Sequence, residues 1–117
     1  MLVPLVTDRW AQLQLLDDEH AVLPGISTFW VGSHHRASIA VKIETTDGTV
    51  VASDCIFQYE NLEGHRPLGI NESMEETLVA YERIRREADI VIPLYDHRAM
   101  CGPHETQPNR LATRGDA

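Results

Sequence analysis

The chain has 117 residues, of which 43% are hydrophobic, so we expect one globular domain or part of one and not a disordered segment. The formal net charge of −8 argues against binding to nucleic acid or to an anionic membrane, and it suits a site that attracts cations. No apolar run approaches the roughly 20 residues that a membrane-spanning helix needs.

The cysteines and the N-terminus bear on the compartment. Cys55 and Cys101 lie far apart and form no disulfide framework, which predicts a reduced protein. The apolar start, residues 1–6, has neither a basic leader nor a small-residue cleavage site, so we predict no signal peptide. We therefore expect a cytoplasmic protein.

Alternating and β-branched residues predict several strands in the first half of the chain. Between the last two of them, Asp47-Gly48 is a strong signal for a two-residue hairpin turn. The predicted strands are residues 10–16, 21–23, 26–31, 38–45 and 49–52.

The second half predicts one long helix followed by a strand. Ser73 and Glu76 fit a capping box at the start of the helix. Residues 90–93 are typical of a short buried strand, and residues 102–117 are predicted to be a flexible tail behind a domain of residues 1–101. The apolar face of the helix is predicted from its spacing to consist of Met74, Leu78, Tyr81, Ile84 and Ala88.

This order of elements predicts an α/β domain with a mixed or antiparallel sheet and one covering helix. A single helix cannot cover both faces of a sheet. We therefore expect one sheet face to be left for a partner layer that this chain does not contain.

Candidate metal ligands stand at predicted strand ends. Asp54 follows a strand of apolar residues, where a carboxylate must be solvated, paired or ligated. His34 and His35 are neighbours, so in a regular strand only one of them can share a site with Asp54. The alternative is structural: a cap or turn at Asp54, with one histidine exposed and the other hydrogen-bonded.

Other residues give weaker signals. Tyr95-Asp96-His97 again places polar groups after a strand, in either a site or an ordinary surface turn. Cys55 is either a soft metal ligand or part of the core. A Cys-x-x-Cys pair, a glycine-rich phosphate loop, a nucleophile elbow and a His-Glu-x-x-His motif are all absent from the sequence.

Together these segments resemble the C-terminal half of metallo-β-lactamase-fold hydrolases, in the branch that includes the N-acyl homoserine lactonases. Residues 32–38 are similar to a Gly-Gly-His-Thr-Pro-Gly segment, and Ser53-Asp54-Cys55 to a Gly-Asp-Ala segment. Residues 59–62 and 88–96 resemble the runs that follow, the second leading to a Pro-Gly-His-Asp segment.

The resemblance implies half of an αββα sandwich that binds one or two divalent metals, with zinc expected. It implies that His34 is a metal ligand and that Asp54 bridges two metals. Tyr95 stands where the family has its last histidine ligand, which puts the second metal site in question. Tyr95 then either binds metal as a phenolate or donates a hydrogen bond to the substrate. A further alternative is that His97 takes the place of the missing ligand. The family's main His-x-His-x-Asp-His motif does not occur in this sequence.

The implied function is part of a metal-dependent hydrolase in which a metal-bound hydroxide attacks a lactone or ester carbonyl of a small molecule. Tyr95 and Asp96 are the implied catalytic residues. A homo-oligomer or a partner chain would supply the missing ligands. The alternative is a catalytically inactive half-domain used for assembly, and the substrate itself does not follow from the sequence.

Overall fold

The computed structural model describes residues 3–100, apart from the side chains of residues 5 and 100. The predicted tail, residues 102–117, lies outside the described residues, as do both ends of the predicted domain of residues 1–101. Among the described residues, no helix is long and apolar enough to cross a membrane.

The described residues form a five-stranded mixed sheet with helices, which confirms the predicted α/β class. The strands lie side by side in chain order; the first four are antiparallel, and the fifth pairs with the fourth in parallel. The strands are β1 (Glu19–Leu23), β2 (Ile26–Trp30), β3 (Ile39–Thr45), β4 (Gly48–Ser53) and β5 (Ile90–Pro93). The helices are α1 (Val3–Asp8), α2 (Tyr59–Glu63) and α3 (Met74–Glu87), with short 3₁₀ turns at Trp10–Gln12 and His97–Met100.

The predicted hairpin joins β3 to β4. Thr45 pairs with Gly48, so the two turn residues are Thr46 and Asp47, one position before the predicted pair. Gly48 has a φ of 127°, and a Cβ there would come within 2.8 Å of the Asp89 carboxylate. Glycine is therefore required at the first residue of β4.

The predicted strand at residues 10–16 is wrong. Residues 10–12 form a 3₁₀ turn and residues 13–17 have no regular structure, with Trp10 and Leu15 exposed. Alternation of apolar residues supports a strand only where a neighbouring strand completes the ladder. None of the five described strands pairs with this segment.

Helix α3 begins where predicted, and three of the five residues predicted for its apolar face, Tyr81, Ile84 and Ala88, are buried. The side chain of Ser73 accepts a hydrogen bond from the Glu76 amide, as an N-cap should. Met74 is 53% exposed and Leu78 is 39% exposed, so both were wrongly placed in the apolar face. The residues of α3 that are buried are Thr77, Ala80, Tyr81 and Ile84.

The core lies between α3 and one face of the sheet. Phe29, Ala40 and Ser53 are register neighbours on that face, as are Val51 and Val91. The main apolar cluster consists of Phe29, Val31, Ala40, Val51, Cys55, Ile56, Leu62, Ala80, Tyr81, Ile84, Ala88 and Val91.

The other face of the sheet is also apolar, and its side chains are only partly buried. We call it the open face. Its register neighbours are branched residues such as Ile43 beside Val50 and Val50 beside Ile90. Ile92, in the same face, is 38% exposed. The open face agrees with the expectation that one sheet face is left for a partner layer.

Candidate metal site

Three segments leave the sheet at one edge and carry the predicted site residues. The loop with His34 enters β3, Asp54 follows β4, and Tyr95 follows β5. The register pairs Ser53 with both Ala40 and Pro93, so these strand ends are neighbours. The fold thus brings the predicted segments to the same edge.

The loop between β2 and β3 has an unusual backbone at its start. Gly32 and Ser33 have φ values of 57° and 67°, in the left-handed region. A Cβ on Gly32 would lie 2.5 Å from the Trp30 ring and 2.6 Å from the Glu76 carboxylate. His34 follows in a turn, not at the end of a strand as predicted, because this reversal ends the strand at Trp30.

Contacts with the start of α3 hold this loop in place. The hydroxyl of Ser33 lies 2.7 Å from the hydroxyl of Thr77, and both residues are buried. The Ser33 carbonyl accepts a hydrogen bond of 2.6 Å from the Glu72 amide. Arg36 donates to both carboxylate oxygens of Glu76, at 2.5 and 2.6 Å. The sequence gives no sign of this anchor, because Ser73 and Glu76 together fit a capping box.

His34 has a defined hydrogen-bonding state. Its Nδ1 lies 2.8 Å from the carbonyl oxygen of Ile70. Because a carbonyl oxygen only accepts, Nδ1 carries the proton and donates. In the neutral imidazole the lone pair is then on Nε2, which is the usual arrangement of a histidine that binds metal through Nε2.

His35 differs from its neighbour. It is exposed, and its Nδ1 accepts a hydrogen bond of 3.1 Å from the Ala37 amide within the same turn. The two histidines therefore have the roles that the structural alternative predicted. His35 is exposed, and His34 is hydrogen-bonded to a distant carbonyl. That division also makes His34 the better candidate ligand of the two.

Asp54 has one satisfied and one unsatisfied carboxylate oxygen. Its Oδ2 accepts a hydrogen bond of 3.0 Å from the hydroxyl of Ser38. Its Oδ1 is buried and has no hydrogen-bond partner among the described residues. A buried carboxylate oxygen without a partner is costly, so the site fits a cation or a donor from outside these residues.

Tyr95 lies in a row of three rings with His34 and Phe57. The ring of Phe57 is 5.2 Å from that of His34 and 4.7 Å from that of Tyr95, between centroids, and both contacts are edge-to-face. Tyr95 is 68% exposed, so its phenol faces solvent at this edge. Phe57 gave no functional signal in the sequence, because a single aromatic residue in a loop is usually structural.

Asp96 is fully engaged in structural contacts. Its carboxylate accepts hydrogen bonds from the Tyr59 amide at 3.1 Å and from the Arg98 guanidinium at distances down to 2.7 Å. The Arg98 side chain holds the pKa of Asp96 well below its ordinary value, so the carboxylate stays ionised. These contacts tie the segment after β5 to the start of α2 and leave little capacity for acid–base chemistry.

Cys55 is part of the core. Burial raises the pKa of its thiol to about 11, so it remains protonated at neutral pH. A protonated, buried thiol is a poor metal ligand. Among residues 3–100, apart from the two masked side chains, no group of three or more His, Cys, Asp and Glu side chains is arranged to hold a metal.

No protein-family model matches the sequence, and no curated protein matches it. Several solved structures, however, match its fold. An N-acyl homoserine lactone hydrolase, with the product N-hexanoyl-L-homoserine at its catalytic metal centre, gives a TM-score of 0.65 at 20% identity over 84% of this chain and 41% of the other. A variant of B. thuringiensis AiiA with N-decanoyl-L-homoserine bound at the active site gives the same values. A probable metal-dependent hydrolase from Staphylococcus aureus gives a TM-score of 0.62 at 18% identity, over 76% of this chain and 34% of the other.

At this level of identity the similarity establishes the fold. The described sheet and helices form part of a metallo-β-lactamase-like α/β fold, as the sequence resemblance implied. The solved structures with this arrangement include N-acyl homoserine lactonases and a metal-dependent hydrolase. The chain spans about two fifths of the length of the lactone hydrolase that it matches.

Proposed function

We propose that this chain contributes part of the active site of a metal-dependent hydrolase that acts on a lactone or ester carbonyl of a small molecule. The observation that carries the proposal is the unpaired, buried Oδ1 of Asp54 at the sheet edge that also presents His34. The solved structures of similar fold that bind lactone products at a metal centre support the same reaction class.

His34 and Asp54 would hold a divalent metal, with zinc as our expectation. A neutral imidazole with Nδ1 bonded to a carbonyl and a carboxylate oriented by a serine are both suitable ligands. Two ligands make an incomplete site. We propose that the rest come from a further part of a longer protein, from a partner chain or from a second copy of this chain.

A bound divalent metal would polarise the carbonyl and lower the pKa of a water molecule to about 7. The residues of this chain orient the reactants. The Tyr95 phenol, exposed at the same edge, would donate a hydrogen bond to the substrate oxygen. Because the carboxylate of Asp96 is engaged by Arg98 and Tyr59, we give Asp96 a positioning role for the Tyr95 segment instead of the catalytic role predicted from the sequence.

A second candidate function rests on the open face of the sheet. A half-domain that has lost catalysis but keeps this apolar face could serve for assembly with another chain. The two functions differ at His34. Loss of its imidazole weakens metal binding in the first case and changes at most stability in the second.

Zinc titration of the purified chain tests the first proposal, with free zinc measured by a competing chromophoric chelator. We expect weak binding by the unmodified chain, because it offers two ligands. His34→Ala and Asp54→Asn should each weaken binding by roughly tenfold or more. His35→Ala is the matched control, because His35 is the adjacent exposed histidine. Equal zinc affinity in His34→Ala and His35→Ala would contradict the assignment.

A further inference from the structure

The ring of Phe57 lies between the two side chains that the proposed site uses from different segments. It contacts His34, from the loop before β3, and Tyr95, from the segment after β5. We propose that Phe57 is a positioning residue, whose ring fixes the orientation of the His34 imidazole and the Tyr95 phenol relative to each other. This inference rests on the proposed metal site.

Phe57 is itself held by its backbone on both sides. Its amide donates a hydrogen bond of 3.1 Å to the side-chain oxygen of Asn61, and its carbonyl accepts one of 3.0 Å from the Tyr95 amide. Leu94 donates to the Ile56 carbonyl at 3.1 Å in the same way. These two bonds, donated by consecutive residues beyond the ends of β4 and β5, place Phe57 beside Tyr95.

His34 needs a second contact to be oriented. The hydrogen bond from Nδ1 to the Ile70 carbonyl restrains the ring through one atom, and hydrogen bonds tolerate a range of angles. An edge-to-face neighbour narrows that range, because aromatic rings prefer particular relative angles. The interplanar angle of 73° between His34 and Phe57 is such a contact.

The orientation of the Tyr95 phenol depends on the Phe57 ring more than that of the His34 imidazole does. It is 68% exposed, so few atoms of the domain surround it. Its contact with Phe57, at an interplanar angle of 76°, is the ring contact that holds the phenol against the sheet edge. Phe57 is half-buried and does not belong to the main apolar cluster, which fits a residue that positions its neighbours more than it stabilises the core.

The test compares Phe57→Leu, which removes the ring, with Phe57→Tyr, which keeps it. The first readout is independent of metal: the χ1 rotamer populations of His34 and Tyr95, measured from side-chain NMR couplings. We expect Phe57→Leu to broaden these populations for both residues and Phe57→Tyr to retain them. Leu94→Ala, an exposed change in the adjacent segment, is the control and should leave both populations unchanged.

The second readout is zinc affinity. Phe57→Leu should weaken binding by about tenfold, the lower end of the effect of losing support for a metal ligand, and Phe57→Tyr should restore it. The proposal is overturned if Phe57→Leu leaves the His34 rotamer population unchanged, if Phe57→Tyr is as impaired as Phe57→Leu, or if Phe57→Leu unfolds the domain, since Phe57 would then be a core residue. If the unmodified chain binds no zinc, the proposed function fails, while the rotamer populations still decide whether Phe57 orients the two rings.

Discussion

Gly32 shows how tightly the loop that carries His34 is constrained. Its φ of 57° suits glycine, and any Cβ would meet the Trp30 ring and the Glu76 side chain at 2.5–2.6 Å. Glu76 is also the residue that binds Arg36. A side chain at position 32 would therefore disturb the backbone of the loop and its ion pair together.

We expect Gly32→Ala to lower the free energy of unfolding by about 1–3 kcal/mol, because it combines a strained backbone with a steric clash. Urea denaturation followed by circular dichroism measures the change. Gly69→Ala is the matched control, since Gly69 lies outside the left-handed region and no atom lies within 4 Å of its Cβ position. A Gly32→Ala variant as stable as the control would show that the loop accommodates a side chain.

Asp96 and Asp54 are carboxylates at the same edge with different expected effects on stability. Asp96 is buried with its oxygens fully bonded, so Asp96→Ala leaves the buried Tyr59 amide without its acceptor and removes the main partner of Arg98. We expect this change to lower the free energy of unfolding. Asp54→Ala removes one hydrogen bond, from Ser38, together with an oxygen that has no partner among residues 3–100, so it should cost less. Denaturation midpoints of the two variants at neutral pH test this contrast.

Asp96 also gives the domain a pH dependence. Its pKa in the folded chain is lowered from an ordinary value of 3.8, chiefly by the hydrogen bonds from Arg98. The ionised form is therefore favoured by folding, and this contribution is fully present above the ordinary pKa and is lost as the pH falls through the folded value. We expect stability to decline below about pH 4 and this decline to be smaller in Asp96→Asn. An identical acid dependence in both proteins would rule out Asp96 as a source.

Helix α3 is the element whose start was predicted correctly and whose buried face was predicted only in part. Ser73 and the following acidic residues marked its start, since capping is a local property. Its buried face was misjudged because Thr77, a polar residue, takes a core position where its hydroxyl bonds to Ser33 and to the Ser73 carbonyl. That pairing depends on a loop 44 residues away in the sequence, so the helical pattern gave no sign of it.

The observed orientation of α3 predicts different costs for two similar truncations. Ile84→Ala removes a fully buried side chain and should cost about 2–4 kcal/mol. Leu78→Ala removes one that is 39% exposed and should cost less than half as much. Thermal denaturation of both variants decides between this orientation and the face predicted from the sequence, which would make the two costs similar.

The strands of the sheet could be predicted from local sequence, whereas the contacts that support the candidate site could not, because those contacts are tertiary. The hairpin of β3 and β4 follows from local turn chemistry at Asp47-Gly48, and Asp54 was placed after β4 by counting along the strand. The support for His34 comes from Ile70 and Phe57, which reach it through tertiary packing. Local patterns predicted the candidate ligands, and only the folded chain revealed what orients them.

At the scale of the whole molecule, the open face of the sheet is the main unfinished surface. It carries apolar register neighbours such as Val41 beside Ala52 and Ile43 beside Val50, while α3 covers the opposite face. In a fold of which this chain makes up about two fifths, a second layer is the natural cover for this face. We propose that this layer is the remainder of the sandwich, supplied by a longer chain or by a partner.

We expect the 117-residue chain by itself to associate through its open face as concentration rises. Ile43→Lys places a charge in the middle of that face and should shift the chain towards monomer, because the charge would be buried on association. Asp47→Lys, a charge change at the exposed turn of the same hairpin, serves as the control. Sedimentation velocity at several concentrations measures the effect, and a monomeric unmodified chain at all concentrations would contradict the expectation.

The parallel pairing of β4 with β5 also sets an order of assembly for the domain. The first four strands are consecutive antiparallel neighbours, so their contacts close over short stretches of chain. The hydrogen bonds at the candidate site instead join Phe57 to Tyr95 across α2 and α3, and this loop of chain must close before any of those contacts form. Because long-range closure is slow relative to hairpin formation, the meander of β1 to β4 should fold first and the edge with Tyr95 last. A nascent domain would thus already have its sheet scaffold before it could align the groups that bind and orient a substrate.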